Sequence, residues 1–284
     1  MTLRELHPVG QDYIRLATRL LQDARLAEPD GGLWEAADVQ WSWRVDQHGD
    51  PEAQSILADD GTPVAGVVFN QWKDSLGCDL LGTDAAVMEH TGRLWDRVRG
   101  HFTDRTLEML IRDDDPTRIA AAEHAGFQAA DDVFATGWMD VANRSTAPNM
   151  PAGMRIEPYA GGAHPMVARN GEHVAQRLAE CSLYRPDLDL ALRDGDQLAG
   201  YALFWADPVT GVGLLEPMRI EDAYQGRGLG KVLTAAGLDR LAAAGCTQLK
   251  VGFELSNEAA VRLYTWAGYR ARSTTRNWIR PAAT

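Results

Sequence analysis

One short segment in the second half of the chain combines glycines with cations in a pattern typical of a phosphate-binding turn. Its residues are Gln225, Gly226, Arg227, Gly228, Leu229, Gly230 and Lys231. Glycine has no Cβ, so its backbone turns tightly and lets a ligand approach closely. The first N–H groups of a following helix have no partners within that helix, and the helix dipole favours an anion beside them. The segment therefore predicts a pyrophosphate site, with a tight strand-to-helix turn as the alternative.

A second segment, downstream of the first, places a tyrosine on a predicted helix. Its sequence is N-x-x-A-x-x-L-Y-x-x-x-G-Y from Asn257 to Tyr269, and Gly268 ends the helix. A phenol has an ordinary pKa of about 10, so Tyr264 carries a proton at neutral pH that it can donate to a leaving group. The alternative for Tyr264 is a half-buried aromatic residue that only packs.

Acidic residues on two predicted strands are the candidates for a general base. Glu216 lies within the predicted strand Gly213–Ile220, and its carboxylate can accept a proton directly or through water. Glu254, at the end of the predicted strand Thr247–Phe253, is a weaker candidate. A structural or solvated carboxylate is the alternative role of Glu216. Pro217 cannot donate a ladder hydrogen bond and therefore predicts a bulge in the first of these strands.

Alternating strand and helix patterns surround these segments. In the second half they predict strands over Met154–Pro158, Asp189–Leu192, Leu198–Ala206, Gly213–Ile220, Thr247–Phe253 and a last strand to Ile279, with helices over Val167–Cys181, Lys231–Ala244 and Asn257–Ala267. In the first half they predict strands over Leu76–Leu81, Leu107–Ile111 and Phe134–Val141, a hairpin over Ser55–Phe69, and helices over Gln11–Leu26, Ala85–Phe102 and Pro116–Ala125. Both halves therefore have the order expected of a layered α/β or α+β domain.

The two halves also share short sequences at matching places. Val64-Ala65-Gly66 and Leu198-Ala199-Gly200 lie on the returning hairpin strands, and both late helices end in Ala-Gly followed by an aromatic residue. Residues 141–154 between the halves have the small and proline-containing composition of a linker. We interpret the chain as an internal duplication with domains 1–145 and 146–284. The alternative is that two unrelated small domains have similar turn and helix-end residues by chance.

The two segments together resemble the motifs of the GNAT superfamily of acyl-CoA N-acyltransferases. Gln225, Gly228 and Gly230 match its Q/R-x-x-G-x-G/A loop, the helix from Asn257 matches its second motif, and the resemblance covers Met154 to Ile279. It implies an α+β (α/β layered) fold of two tandem GNAT-like domains. Each would have a mixed, mostly antiparallel twisted sheet flanked by helices, with one splayed pair of parallel strands.

The resemblance also implies a co-substrate and a role for each site residue. Acetyl-CoA would lie between the splayed strands, with its pantetheine arm on the backbone of Met218, Arg219 and Ile220. Its pyrophosphate would lie on the loop amides of Gln225 to Lys231, and Asn257 would contact or orient the CoA arm. Tyr264 would be the general acid and Glu216 the base, while a backbone N–H near Ile220 would stabilise the oxyanion. No metal is implied.

The first half lacks the residues that this chemistry needs. Alignment of the two Gly-aromatic pairs places Ala122 where the second half has Tyr264, and Asp115 where it has Asn257. Residues 81–93 contain no G-x-G sequence. We therefore expect a degenerate, non-catalytic domain that provides structural support, walls of the substrate pocket, or a surface for a homodimer.

The net charges of the two halves also differ, and they too favour the second half as the binding domain. Residues 1–145 carry 13 basic and 26 acidic side chains, a net −13, whereas residues 146–284 carry 15 and 14. Only the second half is therefore suited to an anionic ligand. In the first half, Trp34, Trp41 and Trp43 are interpreted as core, with an aromatic wall for a cationic amine as the alternative. The acidic run 113–115 is interpreted as a helix cap.

Composition excludes several classes of protein. The net charge of −12 argues against general nucleic-acid binding, and no apolar run is long enough to span a bilayer. The three cysteines lack metal-site spacing, and the N-terminus has no signal-peptide pattern. We expect a cytoplasmic protein that binds neither nucleic acid nor membrane.

The leading hypothesis is an N-acetyltransferase that moves an acetyl group from acetyl-CoA to a primary amine on a small molecule. Direct attack of the amine would form a tetrahedral intermediate. Three alternatives stay open at this point: mycothiol-synthase-like acetylation of a cysteinyl glycoside, acetylation of protein or peptide lysines, and CoA binding without turnover.

Overall fold

The computed structural model describes residues 2–72 and 74–283. In chain order the first half contains β1 (Leu3–Leu6), α1 (Gly10–Ala27), α2 (Ala36–Ser42), β2 (Ser55–Asp59), β3 (Thr62–Trp72), β4 (Ser75–Gly82), α3 (Asp84–Glu89), α4 (Thr91–Gly100), β5 (Leu107–Arg112), α5 (Pro116–His124) and β6 (Gln128–Asp140). The second half contains β7 (Met154–Pro158), α6 (Val167–Asn170), α7 (Val174–Ala179), β8 (Asp189–Asp194), β9 (Gln197–Ala206), β10 (Val212–Ile220), α8 (Leu229–Ala243), β11 (Gln248–Glu254), α9 (Glu258–Ala267) and β12 (Arg270–Arg280). The same order of strands and helices thus occurs twice.

The chain divides into two compact units. The first unit comprises Met1–Val133 and Thr274–Thr284, and the second comprises Phe134–Ser273. The predicted domains 1–145 and 146–284 differ from these units because each half contributes the end of its last strand to the other unit. Within the first unit β12 pairs with β5, and within the second unit β6 pairs with β11.

Each unit has a mixed sheet with one parallel pair. The strand order is β1-β2-β3-β4-β5-β12 in the first unit and β6-β11-β10-β9-β8-β7 in the second. The parallel pairs are β4 with β5 and β10 with β11, and the other pairs are antiparallel. The parallel register of β10 extends only from Val212↔Gln248 to Leu214↔Lys250, beyond which these described strands are not paired. The predicted α+β fold with splayed parallel strands is confirmed.

Helices α8 and α9 cover one face of the sheet in the second unit. The apolar side chains of Leu233, Leu238 and Leu241 on α8 join those of Leu249 and Val251 on β11 in one buried cluster. The distance between helix and sheet is set by a glycine, because a Cβ at position 237 would lie 2.0 Å from Cζ of Phe204. This close packing fixes the start of α8 against the splayed strands.

Two predicted helices are interrupted in the structure. The helix predicted over Val167–Cys181 is divided into α6 and α7 by Gly171, whose φ of +86° is incompatible with a right-handed helix. The helix predicted over Ala85–Phe102 is divided into α3 and α4 at His90, the shared end residue of both. The helical periodicity of apolar residues continues across both interruptions, so it predicted one helix in each place.

Two elements of the first unit were not predicted. The short strand β1 exists through its pairing with Ile56 to Asp59 of β2, a contact between distant parts of the sequence. Helix α2 begins with a capping box in which Glu35 and Asp38 exchange hydrogen bonds with each other's backbone. Two of the tryptophans near α2 are core residues, since Trp41 is 5% and Trp43 7% exposed.

The acidic run of the first half has the role of a cap, as predicted. Asp115 precedes α5 and accepts a hydrogen bond from the backbone N–H of Arg118 at 2.9 Å. Across residues 2–72 and 74–283, no three His, Cys, Asp or Glu side chains are grouped to hold a metal ion. Over the same described ranges, the helices are too short or too polar to cross a membrane.

Candidate functional site

A bulge interrupts β10 where its parallel neighbour diverges. Leu215 pairs with Phe204 and Met218 with Ala202, so two residues of β10 lie opposite the single Leu203 of β9. The two are Glu216 and Pro217, and the peptide bond between them is cis. The bulge predicted from the proline is therefore present, and it bends β10 away from β11.

Beyond the bulge, backbone groups of β10 face the gap. The N–H of Glu221 donates to the carbonyl of Ala199 on β9 at 2.9 Å. Because hydrogen-bonding direction alternates along an antiparallel strand, Arg219 also faces β9, whereas Met218 and Ile220 direct their N–H and C=O groups to the other side. That side is the gap between β10 and β11. Of the three predicted pantetheine contacts, two thus present their backbone groups to the gap.

The loop after β10 ends in an open helix start. Gly226 and Gly228 both have φ of +75°, and no heavy atom lies within 4 Å of the position that a Cβ would occupy on either. Gly228 is the N-cap of α8 and provides no side-chain cap for the first amides of this 15-residue helix. A helix start without a side-chain cap, beside free space at two glycines, fits an anionic group such as pyrophosphate.

The side chains of the loop have distinct roles. Gln225 donates through Nε2 to the carbonyl of Ile220 and to Asp222, both at 3.2 Å, and so ties the loop to the end of β10. Arg227 is exposed and lies 5.0 Å from the ring centroid of Tyr224. Lys231 lies 5.0 Å from the ring centroid of Trp266. Arg227 and Lys231 bring positive charge to the loop, while Gln225 braces it.

The remaining glycine of the loop permits close packing behind it. A Cβ at position 230 would lie 3.3 Å from Cε of Met218 and 3.5 Å from a methyl group of Leu263. Gly230 therefore lets the first turn of α8 approach both the gap strand and α9. Leu229 is 1% exposed, so its side chain anchors the helix start in the core.

Tyr264 lies on α9 and is 8% exposed. Its ring packs against Phe253 at 5.3 Å and Tyr269 at 6.0 Å between centroids. Burial raises the pKa of the Tyr264 hydroxyl, and the negative charge of Glu216 raises it further. The phenol therefore keeps its proton through neutral pH, as a general acid must.

The carboxylates predicted as bases differ in their surroundings. Glu216 is half-buried at the bulge, and its charge acts on Tyr264, so these two predicted catalytic side chains belong to one electrostatic environment. Glu254 at the end of β11 accepts a hydrogen bond from the hydroxyl of Ser256. Glu216 is therefore the better placed of the two relative to Tyr264.

Asn257 has a structural role that the sequence did not indicate. It is the N-cap of α9, and its Oδ1 accepts a hydrogen bond from the N–H of Ala260 at 3.1 Å. This bond fixes the side chain at the helix start and leaves its NH₂ group to contact a ligand. The cap thus orients the predicted contact with the CoA arm.

Buried polar residues behind the bulge were missed by sequence reasoning. Trp205 donates its indole N–H to the carbonyl of Glu216 at 2.8 Å. Tyr184 packs beside Trp205 and donates its hydroxyl hydrogen to Asp189, which also contacts His164. These four residues come from separate segments with no common spacing, so only folding reveals the group.

Comparison with known proteins agrees with this geometry. Residues 162–269 match the family model described as "Acetyltransferase (GNAT) family". The chain is 27% identical over 239 residues to a mycothiol acetyltransferase of Clavibacter michiganensis subsp. michiganensis, a match that covers 78% of this chain and 77% of that protein. Other relatives with the same name are 26–33% identical.

Solved structures with the same fold extend over both units. A tandem GNAT protein from the clavulanic acid biosynthesis pathway has a TM-score of 0.66 at 15% identity and covers 100% of this chain and 99% of its own. A GCN5-related N-acetyltransferase from Sphaerobacter thermophilus has a TM-score of 0.60 at 17% identity, with coverage of 99% and 97%. At this identity the likeness establishes the fold.

Proposed function

We propose that this chain, an N-acetyltransferase of the tandem GNAT type, transfers the acetyl group of acetyl-CoA to a primary amine of a small molecule. The observation that carries the proposal is the pairing, in the second unit, of an open and uncapped helix start with a buried, protonated Tyr264. The first feature suits an anionic co-substrate and the second suits a thiolate leaving group.

The second unit binds the co-substrate along the gap. The backbone groups of Met218 and Ile220 that face the gap pair with the amides of the pantetheine arm, in the manner of an added strand. The pyrophosphate lies on the first amides of α8, where Gly226 and Gly228 leave space for it. Arg227 and Lys231 add charge, and the NH₂ group of Asn257 contacts the arm.

Glu216 and Tyr264 divide the proton transfers. A protonated amine is not a nucleophile, so Glu216 removes its proton directly or through water. The amine nitrogen then forms a bond to the thioester carbon, and the backbone N–H near Ile220 stabilises the oxyanion. When the carbon–sulfur bond breaks, Tyr264 donates its proton to the thiolate. The second proton of the attacking nitrogen then passes to the Tyr264 phenolate, directly or through water, which restores the phenol. The products are the acetylated amine and free CoA.

The first unit has no catalytic role in this proposal. Its gap strand lacks a bulge, and the helix start that follows is capped from within the chain. Along the sequence, we assign the non-catalytic copy of the duplication to residues 1–145 and the catalytic copy to residues 146–284. Structural support is the role that we propose for the first unit.

A cysteinyl glycoside of the mycothiol type is the first acceptor to test. This choice follows from the name of the relatives, one of which is 27% identical over 78% of this chain. Polyamines, amino acids and aminoglycosides are the other small amines to compare. Lysine peptides test the alternative in which the acceptor is a protein.

The experiment measures CoA thiol release from acetyl-CoA with each amine, and mass spectrometry of the product. We expect amine-dependent release with at least one small molecule and a mass increase of one acetyl group on that amine. Release without amine serves as the background. Saturable CoA binding with no release above background for any acceptor would support the binding-only alternative and contradict the proposal.

A further inference from the structure

The bulge in β10 is the place where a side chain of the neighbouring strand contacts the backbone of β10. Two residues of β10 lie opposite one residue of β9, and the second of them, Pro217, has no N–H. Pro217 thus removes one ladder donor at the bulge. A side-chain donor to the adjacent carbonyl of Glu216 stabilises this irregular backbone.

Trp205 supplies that donor. Its backbone pairs with Leu214, two residues before Glu216, and its indole extends along the sheet to the bulge. Nε1 lies 2.8 Å from the carbonyl oxygen of Glu216. The whole residue is 0% exposed. The hydrogen bond thus joins a rigid, buried ring on β9 to the most irregular point of β10.

A second group of side chains holds the Trp205 ring in place. The ring of Tyr184 lies 6.4 Å from that of Trp205 at an interplanar angle of 64°. The Tyr184 hydroxyl donates to Oδ2 of Asp189 at 2.9 Å, and Nε2 of His164 lies 2.7 Å from the same oxygen. Asp189 is 1% exposed and His164 4% exposed.

The hydrogen bonds of His164 define its orientation. Its Nδ1 accepts from the backbone N–H of Met166 at 3.2 Å, because a backbone N–H can only donate. The ring proton is therefore on Nε2 and points to Asp189. Since each member of this group is held by the next, the ring of Trp205 has little freedom to leave Glu216.

The geometry points to Trp205 as a positioning residue for acetyl transfer. Its indole N–H fixes the bulge. The bulge in turn sets the direction in which Met218 and Ile220 present their backbone groups and the place of Glu216 beside Tyr264. This inference rests on the proposed function, since it names a further residue of the same site. The role assigned to Trp205 belongs to its indole N–H, as distinct from the packing of its ring.

The experiment replaces Trp205 by benzothienylalanine, which keeps the ring shape and has sulfur in place of N–H. A second protein carries 5-fluorotryptophan at position 205, which keeps the N–H. W95F is the control for loss of a buried indole, since Trp95 is 3% exposed in the core of the first unit beside Phe127. For each protein we measure kcat, KM for both substrates, melting temperature and the calorimetric Kd for CoA.

We expect the sulfur analogue to lower kcat about 10-fold, which corresponds to about 1.4 kcal/mol, and to raise the Kd for CoA about 3-fold. KM for the amine should stay within about 2-fold. The fluorinated protein should retain wild-type kcat, and W95F should change melting temperature without changing kcat. A sulfur analogue with wild-type kcat and wild-type Kd for CoA would overturn the inference.

Failure of the proposed function gives a different result. In that case the wild-type protein releases no amine-dependent thiol, and the Kd for CoA becomes the deciding measurement. Weaker CoA binding by the sulfur analogue, with wild-type binding by the fluorinated protein, supports the positioning role. Equal binding by all three proteins overturns it.

Discussion

The two units differ most at the helix start that follows the gap strand. In the second unit Gly228 begins α8 with no side-chain cap and with open space above the loop. In the first unit Thr83 caps α3 by accepting from Ala86 N–H at 3.0 Å, and Glu28 accepts from the N–H of Asp84 at 2.7 Å. The first unit therefore caps its helix start with side-chain oxygens, whereas the N-cap of α8 provides none.

The gap strands differ in the same sense. Strand β4 pairs with β3 in one register from Ala65↔Gly82 to Trp72↔Ser75, without the bulge of β10. Relative to the conserved hairpin glycine of each unit, Asp79 on β4 occupies the register of Met218 on β10. Burial, with the charge of Asp38, raises the pKa of Asp79 to about 7. The gap strand of the first unit thus carries an acidic residue at the register where the second unit has a thioether.

The gap of the first unit is lined by polar side chains of its own chain. A cavity lies there, and its lining includes Glu28, Trp34 and Gly82. Arg118, which also lines it, is paired with Asp84 at 2.7 Å. The difference between the two units thus lies in a few residues at the gap.

The largest effect is expected when the proposed proton donor of the second unit is removed. Tyr264→Phe should lower kcat about 100-fold with little change in KM for acetyl-CoA, because general acid catalysis contributes about 10²–10⁴-fold. Steady-state kinetics measure this. Since the pKa of Tyr264 is raised, its proton persists above neutral pH, and wild-type kcat should not fall before about pH 10.

Tyr13→Phe is the matched control, because Tyr13 is buried in the first unit with a raised pKa and a hydrogen bond to Asn70. It should leave kcat unchanged. A similar loss of kcat in both variants would show that Tyr264 contributes only to packing.

A smaller effect is expected at the open helix start. Gly228→Ala places a Cβ where the ligand approaches and strains a residue with φ of +75°. KM for acetyl-CoA should rise about 10-fold, equivalent to about 1.4 kcal/mol. Gly126→Ala in the first unit introduces similar strain at φ of +86° and should leave KM unchanged. Equal KM in the two variants would contradict the difference between the units.

Asp79 provides a test of the first unit by pH. Its folded pKa lies above the ordinary value of 3.8, so the folded state is destabilised as pH rises from about 4 through about 7. Asp79→Asn should therefore raise the melting temperature by about 3 °C at pH 8 and by less than about 1 °C at pH 4. A rise in melting temperature that is the same at both pH values would show that ionisation of Asp79 is not its cause.

The smallest expected effect concerns the internal cap. Glu28→Ala removes the carboxylate that accepts from Asp84 and should lower the melting temperature by about 2 °C, since a lost cap costs about 1 kcal/mol. Kinetic constants should not change. A fall in kcat would connect this cap to the site of the second unit and would weaken the division of roles.

Local sequence predicted much of the fold because local energies dominate there. The strand Met154–Pro158, for example, has the predicted bounds. Breaks at His90 and Gly171 were missed, since apolar periodicity continues through them. Strand β1 was missed because a short exposed strand is stable only through its distant partner.

In the candidate site, too, some residues were predicted from the sequence, whereas other features appeared only in the structure. Gly226, Gly228 and Tyr264 were identified from sequence, since a positive φ requires glycine and proton donation requires a phenol or similar group. The helix-capping bond of Asn257 and the bracing bonds of Gln225 appeared only in the structure. The hydrogen bond from Trp205 to Glu216 joins residues whose pairing depends on the register of two strands, which sequence does not specify.

Sequence by itself determined that the chain has two similar halves, that only the second retains the glycine loop and the tyrosine, and that the halves differ in charge. Tertiary structure decided how the chain closes the first gap with Glu28 and Thr83, and where each half's last strand pairs. The physical reason is the distance along the sequence over which each interaction acts. Glycine conformation and charge are properties of single residues, whereas capping by a distant carboxylate and strand pairing depend on contacts that only the folded chain creates.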